Sequence, residues 1–271
     1  MTLNGKIILT GKGLHSGQDC TLTIEPCDSP EILMRSGENE LPLRNLSLSG
    51  TNRGSDYIFP DGARVRTCEH VLSALAGLGI WSGVRLCVEG GEMPALDGCS
   101  RTVCDELRPF QMIGSLSSET AEQFVHSIQS PVCVYGEDTS RFVAALPYQG
   151  LRITYIVEYK YIGTQVFDYV HSPEDYYREI SCARTFAMQS DIDYLRSHGM
   201  ALGGSLDNAI VIGESIQAKG GLRWPDEFVR HKVLDILGDL AAVGKKLNAH
   251  IIAVKAGHEL HLKLAEKLRG V

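Results

Sequence analysis

The chain has 271 residues, 44% of them hydrophobic and 22% charged, with 26 basic against 33 acidic side chains for a net charge of -7. That apolar fraction excludes a disordered chain, and the acidic balance excludes a broad nucleic-acid surface, which carries excess lysine and arginine. No apolar run approaches the ~20 residues that span a bilayer, so a soluble protein of one large or two smaller domains is expected.

The opening segment lacks an apolar signal core with a cleavage site and reads as a strand entering the fold. Lys6–Leu9, Cys20–Glu25 and Val84–Glu89 carry the alternation or β-branching of strands. The glycine-rich stretch 11–17 lacks the spacing of a phosphate loop or dinucleotide fingerprint and predicts a tight turn. Thr67 predicts an N-cap and Gly77 a C-cap for a short helix whose apolar side holds Leu72, Leu75 and Leu78. Arg101–Gln111 predicts a second helix. Gly114–Glu122 is polar and aperiodic, and there the boundary between domains 1–117 and 118–271 is placed. Beyond it, Val132–Tyr135, Arg141–Leu146 and Arg152–Tyr159 predict an antiparallel meander, and Ser172–Ile180 and Asp191–Ser197 predict helices. Pro225–Val243 is the strongest helix. Pro225 suits its first turn, Asp226 and Glu227 its positive end, and Gly244 its stop. A strand at Ile251–Lys255 and a helix at His258–Leu268 finish the chain. The eight cysteines are scattered, with no C-x-x-C pair, which predicts reduced thiols in a cytoplasmic protein.

Three polar spots carry candidate chemistry. His231 and Asp235 lie four apart, hence on one helix face, and Asp239 falls a turn further on. Imidazole and carboxylate are ordinary zinc ligands, but an exposed helix pair has the same spacing. Glu69-His70 offers a third ligand in His70 and, in Glu69, a base for an attacking water; equally, Glu69 serves a helix N-terminus and His70 is a surface residue. His258 begins the last helix as a general acid or as a capping residue; a pairing with Asp239 would favour its imidazolium form. Glu69-His70 and Arg230-His231 are each followed by leucines three apart, an echo of two similar halves that any core-facing helix also shows.

Longer blocks carry a resemblance: Gly-Lys-Gly-Leu-His-Ser-Gly at 11–17, Thr-Cys-Glu-His at 67–70, Met-Pro-Ala-Leu-Asp-Gly at 93–98, Ala-Arg-Thr-Phe at 183–186, Leu-Gly-Gly-Ser-Leu-Asp-Asn at 202–208, Glu-Phe-Val-Arg-His-Lys at 227–232 and Ala-Gly-His at 256–258. In this order, across nearly the whole chain, they resemble the UDP-3-O-acyl-N-acetylglucosamine deacetylases, zinc amidases of bacterial lipid A synthesis. The resemblance implies an α+β fold of two similar layered sandwich domains, helices face to face and the site between them. It implies an acyl-chain passage in an insert at about 188–212. It implies His70, His231 and Asp235 as ligands of zinc, with iron possible in the cell. Glu69 is then the general base, His258 the cationic acid with Asp239 as its partner, Thr185 an oxyanion donor and Lys232 a substrate-binding cation. Phe186 and Arg141 are implied contacts to the nucleotide sugar, and Leu14, Ile192 and Ala201, with Leu195, Met200 and Leu202, would line the passage. The implied partner is a UDP-linked acylated amino sugar, taken by a monomer. Cys68, Met188 and the stretch Cys99–Cys104 depart from the family pattern and touch none of the metal or acid–base positions.

Overall fold

Hairpins begin each half of the chain, and each half completes its sheet with its last strand in the centre. The structure, a computed structural model, describes residues 2–50, 53–112 and 125–270. The first sheet holds β1 (Ile7–Lys12), β2 (Asp19–Pro26), β3 (Ile32–Ser36), β4 (Asn39–Pro42) and β5 (Val84–Glu89), in spatial order β1-β2-β5-β3-β4. β5 runs antiparallel to β2 and parallel to β3. Helix α1 (Glu69–Gly77) lies in the connection that returns β5 to the centre, and α2 (Arg101–Leu107) follows the sheet.

The second half repeats this order. After the short strand β6 (Val125–Ser127) come β7 (Val132–Tyr135), β8 (Phe142–Leu146), β9 (Leu151–Tyr159) and β10 (Gly163–Val170); the long return carries α4 (Glu227–Leu240) and ends in β14 (Lys246–Val254). The order is β7-β8-β14-β9-β10, with β14 antiparallel to β8 and parallel to β9. The expected antiparallel meander is therefore corrected: β8 and β9 are neighbours in sequence but not in the sheet. Alternation tells which side chains of a strand face inward, here Leu247, Ala249, Ile251 and Ala253 of β14; it does not tell which strand lies alongside. Between α4 and β10 a small sheet forms from β11 (Phe186–Met188), β12 (Ile210–Ile212) and β13 (Ile216–Gln217), with α3 (Gln189–Ser197) beside it. Helix α5 (His258–Arg269) closes the chain against α4, β7 and β8. The mixture of helices with several sheets is an α+β fold. The expected boundary at 114–122 lies outside the described residues.

Several terminal signals are met by other residues. Thr67 does not cap α1: its backbone is left-handed (φ 53°), and its hydroxyl donates to Glu92 at 2.9 Å. Cys68 stands at the cap but does not cap the helix with its side chain; its thiol donates to the Val65 carbonyl at 3.4 Å. Gly77 is the last helical residue, and the left-handed turn falls at Gly79. Pro225 precedes α4, whose cap is Asp226; after a 3-10 turn at Ala241–Val243 the left-handed Gly244 ends the run as expected. Arg101–Gln111 divides into α2 and a 3-10 turn at Arg108–Phe110. Ser172–Ile180 is one capped turn followed by a π-helix. All eight cysteines are free thiols. Among the described residues no helix is long and apolar enough to cross a membrane.

The two return helices, α1 and α4, pack against each other, and both are buried almost throughout. Gly238 makes this possible: a β-carbon there would stand 2.0 Å from the Glu69 carbonyl oxygen. The two backbones meet beside Glu69 and His70, so the polar residues of both helices face a common space. Most buried apolar side chains form one continuous core drawing on both sheets, with a small satellite of Ile210, Ile212 and Phe228 under the 186–217 region.

Candidate metal and acid–base centre

Helix geometry puts His231 and Asp235 on one face of α4, and the helix crossing brings His70 opposite them. Asp235 Oδ1 lies 3.2 Å from His231 Nε2 and 3.7 Å from His70 Nε2. The ligand-capable atoms of all three residues fall within 4.8 Å of one another. This corrects the bland reading of an exposed helix pair, since His231 and Asp235 are each 1% exposed and His70 is 6% exposed. Each histidine is driven toward its neutral form mainly by burial, His231 down to about 3. His231 Nδ1 donates to the Ala183 carbonyl at 3.0 Å, which leaves its Nε2 lone pair facing Asp235.

Asp235 divides its two oxygens. Oδ2 accepts a 2.6 Å bond from Lys232 Nζ, whereas Oδ1 is buried with no hydrogen-bond partner among the described residues. Burial opposes the charge on Asp235, but His231, Lys232, His258 and His70 outweigh it and hold the carboxyl well below its usual range. Lys232 is likewise kept cationic: burial works against it and Asp235 prevails. A buried carboxylate oxygen beside two neutral imidazoles is a donor set suited to a cation. Tetrahedral zinc with ligands at about 2.0–2.2 Å has ligand–ligand edges of about 3.3–3.6 Å, and the 3.2 and 3.7 Å separations bracket that range. The residues fit a metal ion.

Next to this triad a carboxyl, Glu69, and an imidazole, His258, face each other. Glu69 opens α1, and its Oε2 accepts from both the amide (2.9 Å) and the hydroxyl (2.8 Å) of Ser55. Burial raises the Glu69 carboxyl, helped by Asp239 and Asp235 and opposed by His258. Its Oε1 lies 3.9 Å from His258 Nε2, which is also 3.7 Å from Asp235 Oδ2. His258 Nδ1 donates to Asp239 Oδ2 at 2.8 Å. Burial pushes His258 down, but Asp239, Glu69 and Asp235 push it up more strongly, to about 9. At neutral pH His258 is therefore an imidazolium facing a carboxylate-rich space.

All of these groups except Asp239 open into one cavity of about 610 Å³. Thr185 lines it, pinned by its amide to the Gly98 carbonyl (2.8 Å) and by its carbonyl to the Ile210 amide (2.8 Å). Gly98 is left-handed (φ 75°), and a β-carbon there would strike the Asn208 carbonyl at 1.7 Å, so only glycine allows this approach. Phe186 lines the cavity too, with its ring edge-on to Tyr159, Phe228 and His231. Leu14, Ile192, Leu195 and Ala201 face the same space, as does Arg141, whose Nε is bonded to the Lys255 carbonyl. Met200 is not among the lining residues, and Leu202 is 54% exposed, because its amide is tied back to the His15 carbonyl.

The sequence did not mark His15, Arg53 or Gln189 as lining residues, nor Glu92 as the support of the turn that carries His15. Glu92 is 1% exposed and accepts from the amides of His15 and Ser16 and from Thr67, tying the 11–17 turn to the foot of α1. A histidine inside a glycine-rich turn was the available signal for His15; nothing local marks Glu92.

Residues 1–270 match the family model described as LpxC, UDP-3-O-acyl N-acetylglycosamine deacetylase. A UDP-3-O-acyl-N-acetylglucosamine deacetylase of Thermosynechococcus vestitus is 37% identical over 274 residues, covering 98% of this chain and 93% of the relative. Proteins of the same name from Bdellovibrio bacteriovorus and Histophilus somni are 34% and 37% identical, each covering 98% of this chain and 88% of the relative. With His70, His231, Asp235, Glu69 and His258 all inside a span that matches from end to end, this chain belongs to the UDP-3-O-acyl N-acetylglycosamine deacetylase family.

Proposed function

We infer that the chain hydrolyses the N-acetyl group of UDP-3-O-[(R)-3-hydroxyacyl]-N-acetylglucosamine, releasing acetate and the free amine for lipid A synthesis. The observation that carries this reading is the buried Asp235 Oδ1, unpartnered among the described residues, between two neutral histidines and near a cationic His258 and the carboxyl of Glu69. His70, His231 and Asp235 would hold zinc. When bound, the ion supplies Lewis acidity at the acetamide carbonyl and makes water acidic enough to attack near neutral pH.

The chain's own groups do the rest. Glu69, held by Ser55, takes the proton of the attacking water as its oxygen joins the acetyl carbon. His258 presents Nε2–H to the developing oxyanion and passes a proton to the nitrogen as the C–N bond breaks. Asp239 holds the His258 tautomer and charge. Thr185 gives its hydroxyl to the oxyanion. Lys232 neutralises Asp235 Oδ2 and stands 5.4 Å from the Phe186 ring centroid, between the metal ligands and the sugar contact. Leu14, Ile192, Leu195 and Ala201 would take the acyl chain, the 188–212 segment serving as its passage in a second domain that starts near 118; Arg141 would meet the diphosphate.

The test is deacetylation of this substrate by Glu69→Ala beside the parent protein, with zinc measured in both. Turnover is expected to fall by about 10²–10⁴-fold, the usual range for a general base, with zinc stoichiometry intact. Loss of zinc together with activity would make Glu69 structural.

A further inference from the structure

Asp239 holds two imidazoles, and the mechanism above uses only one. Besides His258 Nδ1, the same oxygen, Oδ2, accepts a 2.8 Å bond from His261 Nδ1. Oδ1 of Asp239 is buried with no partner among the described residues, so the orientation of the carboxylate depends on Oδ2 alone. A carboxylate held by one donor can swing about that bond; a second donor from another direction fixes it. His258 and His261 are three apart on α5, so both rings point to α4.

His261 is fully buried and continues inward. Its Nε2 lies 2.9 Å from the Tyr155 hydroxyl, and the two rings meet edge to face. A carboxylate only accepts, so His261 Nδ1 carries a proton; burial disfavours a second one, and Nε2 is then the acceptor. Tyr155 is also fully buried, at the middle of β9, and its hydroxyl lies 2.9 Å from the Ala256 carbonyl as well. Ala256 sits two residues before His258. With one proton to give, the phenol shares it between the second imidazole and the backbone carbonyl that launches α5, so a single hydroxyl ties the sheet to both.

We propose that His261 and Tyr155 are positioning residues for the amide hydrolysis, fixing through Asp239 and the entry of α5 where His258 Nε2 stands. The inference rests on the amidase reading above. It says that part of the catalytic geometry is set by a buried line running from the sheet through Tyr155, His261 and Asp239 to His258, with no member before His258 touching substrate.

The experiment compares steady-state kinetics, zinc content and thermal unfolding of the parent protein with His261→Leu, His261→Asn and Tyr155→Phe, on the deacetylation substrate. Leucine fills the site but removes the donor, whereas the asparagine amide nitrogen can stand where Nδ1 stood. His261→Leu is expected to lower kcat by about 10–100-fold, as lost supporting hydrogen bonds at metal sites do, and to leave KM within about twofold, because the lost contact acts in the transition state. His261→Asn should recover most of that loss. Tyr155→Phe keeps the buried ring, so it keeps the test open if His261→Leu does not fold; it should lower kcat with KM unchanged. Zinc should remain stoichiometric in each. Unchanged kcat in both His261→Leu and Tyr155→Phe would overturn the proposal, as would equal losses for leucine and asparagine, or a change confined to KM or zinc. An inactive, zinc-loaded parent protein would overturn the amidase reading itself, a result none of the variant comparisons can mimic.

Discussion

In the proposed reaction His258 and Glu69, which face each other, have opposite protonation requirements, and these set the pH response expected of it. As the proposed base Glu69 would work ionised, and as the proposed acid His258 would work protonated. Glu69 is raised above the ordinary carboxylate value by burial, so activity should fall as pH drops through a point higher than a free glutamate would give. His258 is held up to about 9, so activity should fall again as pH rises through that region. The profile of kcat/KM is therefore expected to be bell-shaped. Asp239→Asn removes the largest influence raising His258. The basic limb should then move to lower pH, and kcat should drop because the tautomer is no longer held; a basic limb that stays in place would refute the assignment of His258 as the acid. At this scale the sequence was partly legible. The i, i+4 spacing put His231 and Asp235 on one face, but spacing alone did not distinguish a solvated pair from a buried site. Burial decides it, and burial comes from α1, more than 150 residues away in the chain. The same holds for His261: a histidine on the last helix has no local mark of its tie to Asp239, because that tie is made by packing α5 on α4.

Among elements, the α1–α4 crossing does the most to assemble the site. Gly238 lies on the contact face between Asp235 and Asp239, and it touches the Glu69 backbone. Gly238→Ala has good helix propensity, so on an isolated helix it would stabilise by about 1 kcal/mol. Here the added methyl meets a carbonyl oxygen at 2.0 Å, and the helices must separate. Overpacking of this kind costs about 1–3 kcal/mol or more. We expect Gly238→Ala to unfold at lower temperature and to lose both zinc affinity and kcat, since His70 and Glu69 move away from Asp235 and His258. A variant more stable than the parent, as propensity alone dictates, would show that the crossing is looser than described. The elements were partly readable from periodicity: the long helix, its glycine stop, the last helix and every expected strand met an observed one, while β3, β4, β6 and β10–β13 went unmarked. Strand order was not, because β8 and β9 are separated by a strand that the chain supplies only near its end.

Over the whole molecule, the two halves share one strand order and send one return helix each to the centre, where His70 comes from the first half and His231 and Asp235 from the second. A cation held by these three groups bridges the halves, so its binding free energy adds to the stability of both. At about a thousandfold excess over the dissociation constant that contribution is about 4 kcal/mol, or on the order of 10 °C in Tm for a chain of this size. Chelation should therefore lower Tm by roughly that amount, and zinc should restore it. His231→Ala should abolish the zinc-dependent shift. The ligand it removes is itself uncharged in the folded state, and Lys232 still pairs the buried Asp235. A second group, Asp239, His258 and His261, also gathers within 4.8 Å. There, however, both imidazoles already donate Nδ1–H to Asp239 at 2.8 Å, and each would have to give up that proton before binding a cation through the same atom. The two sites are separated by one comparison: a zinc-dependent rise in Tm that survives in His231→Ala but disappears in His261→Leu would move the metal to the second group. It would also make His258 a ligand rather than the acid. A rise lost in His231→Ala and kept in His261→Leu places the ion where the orphaned oxygen of Asp235 calls for it.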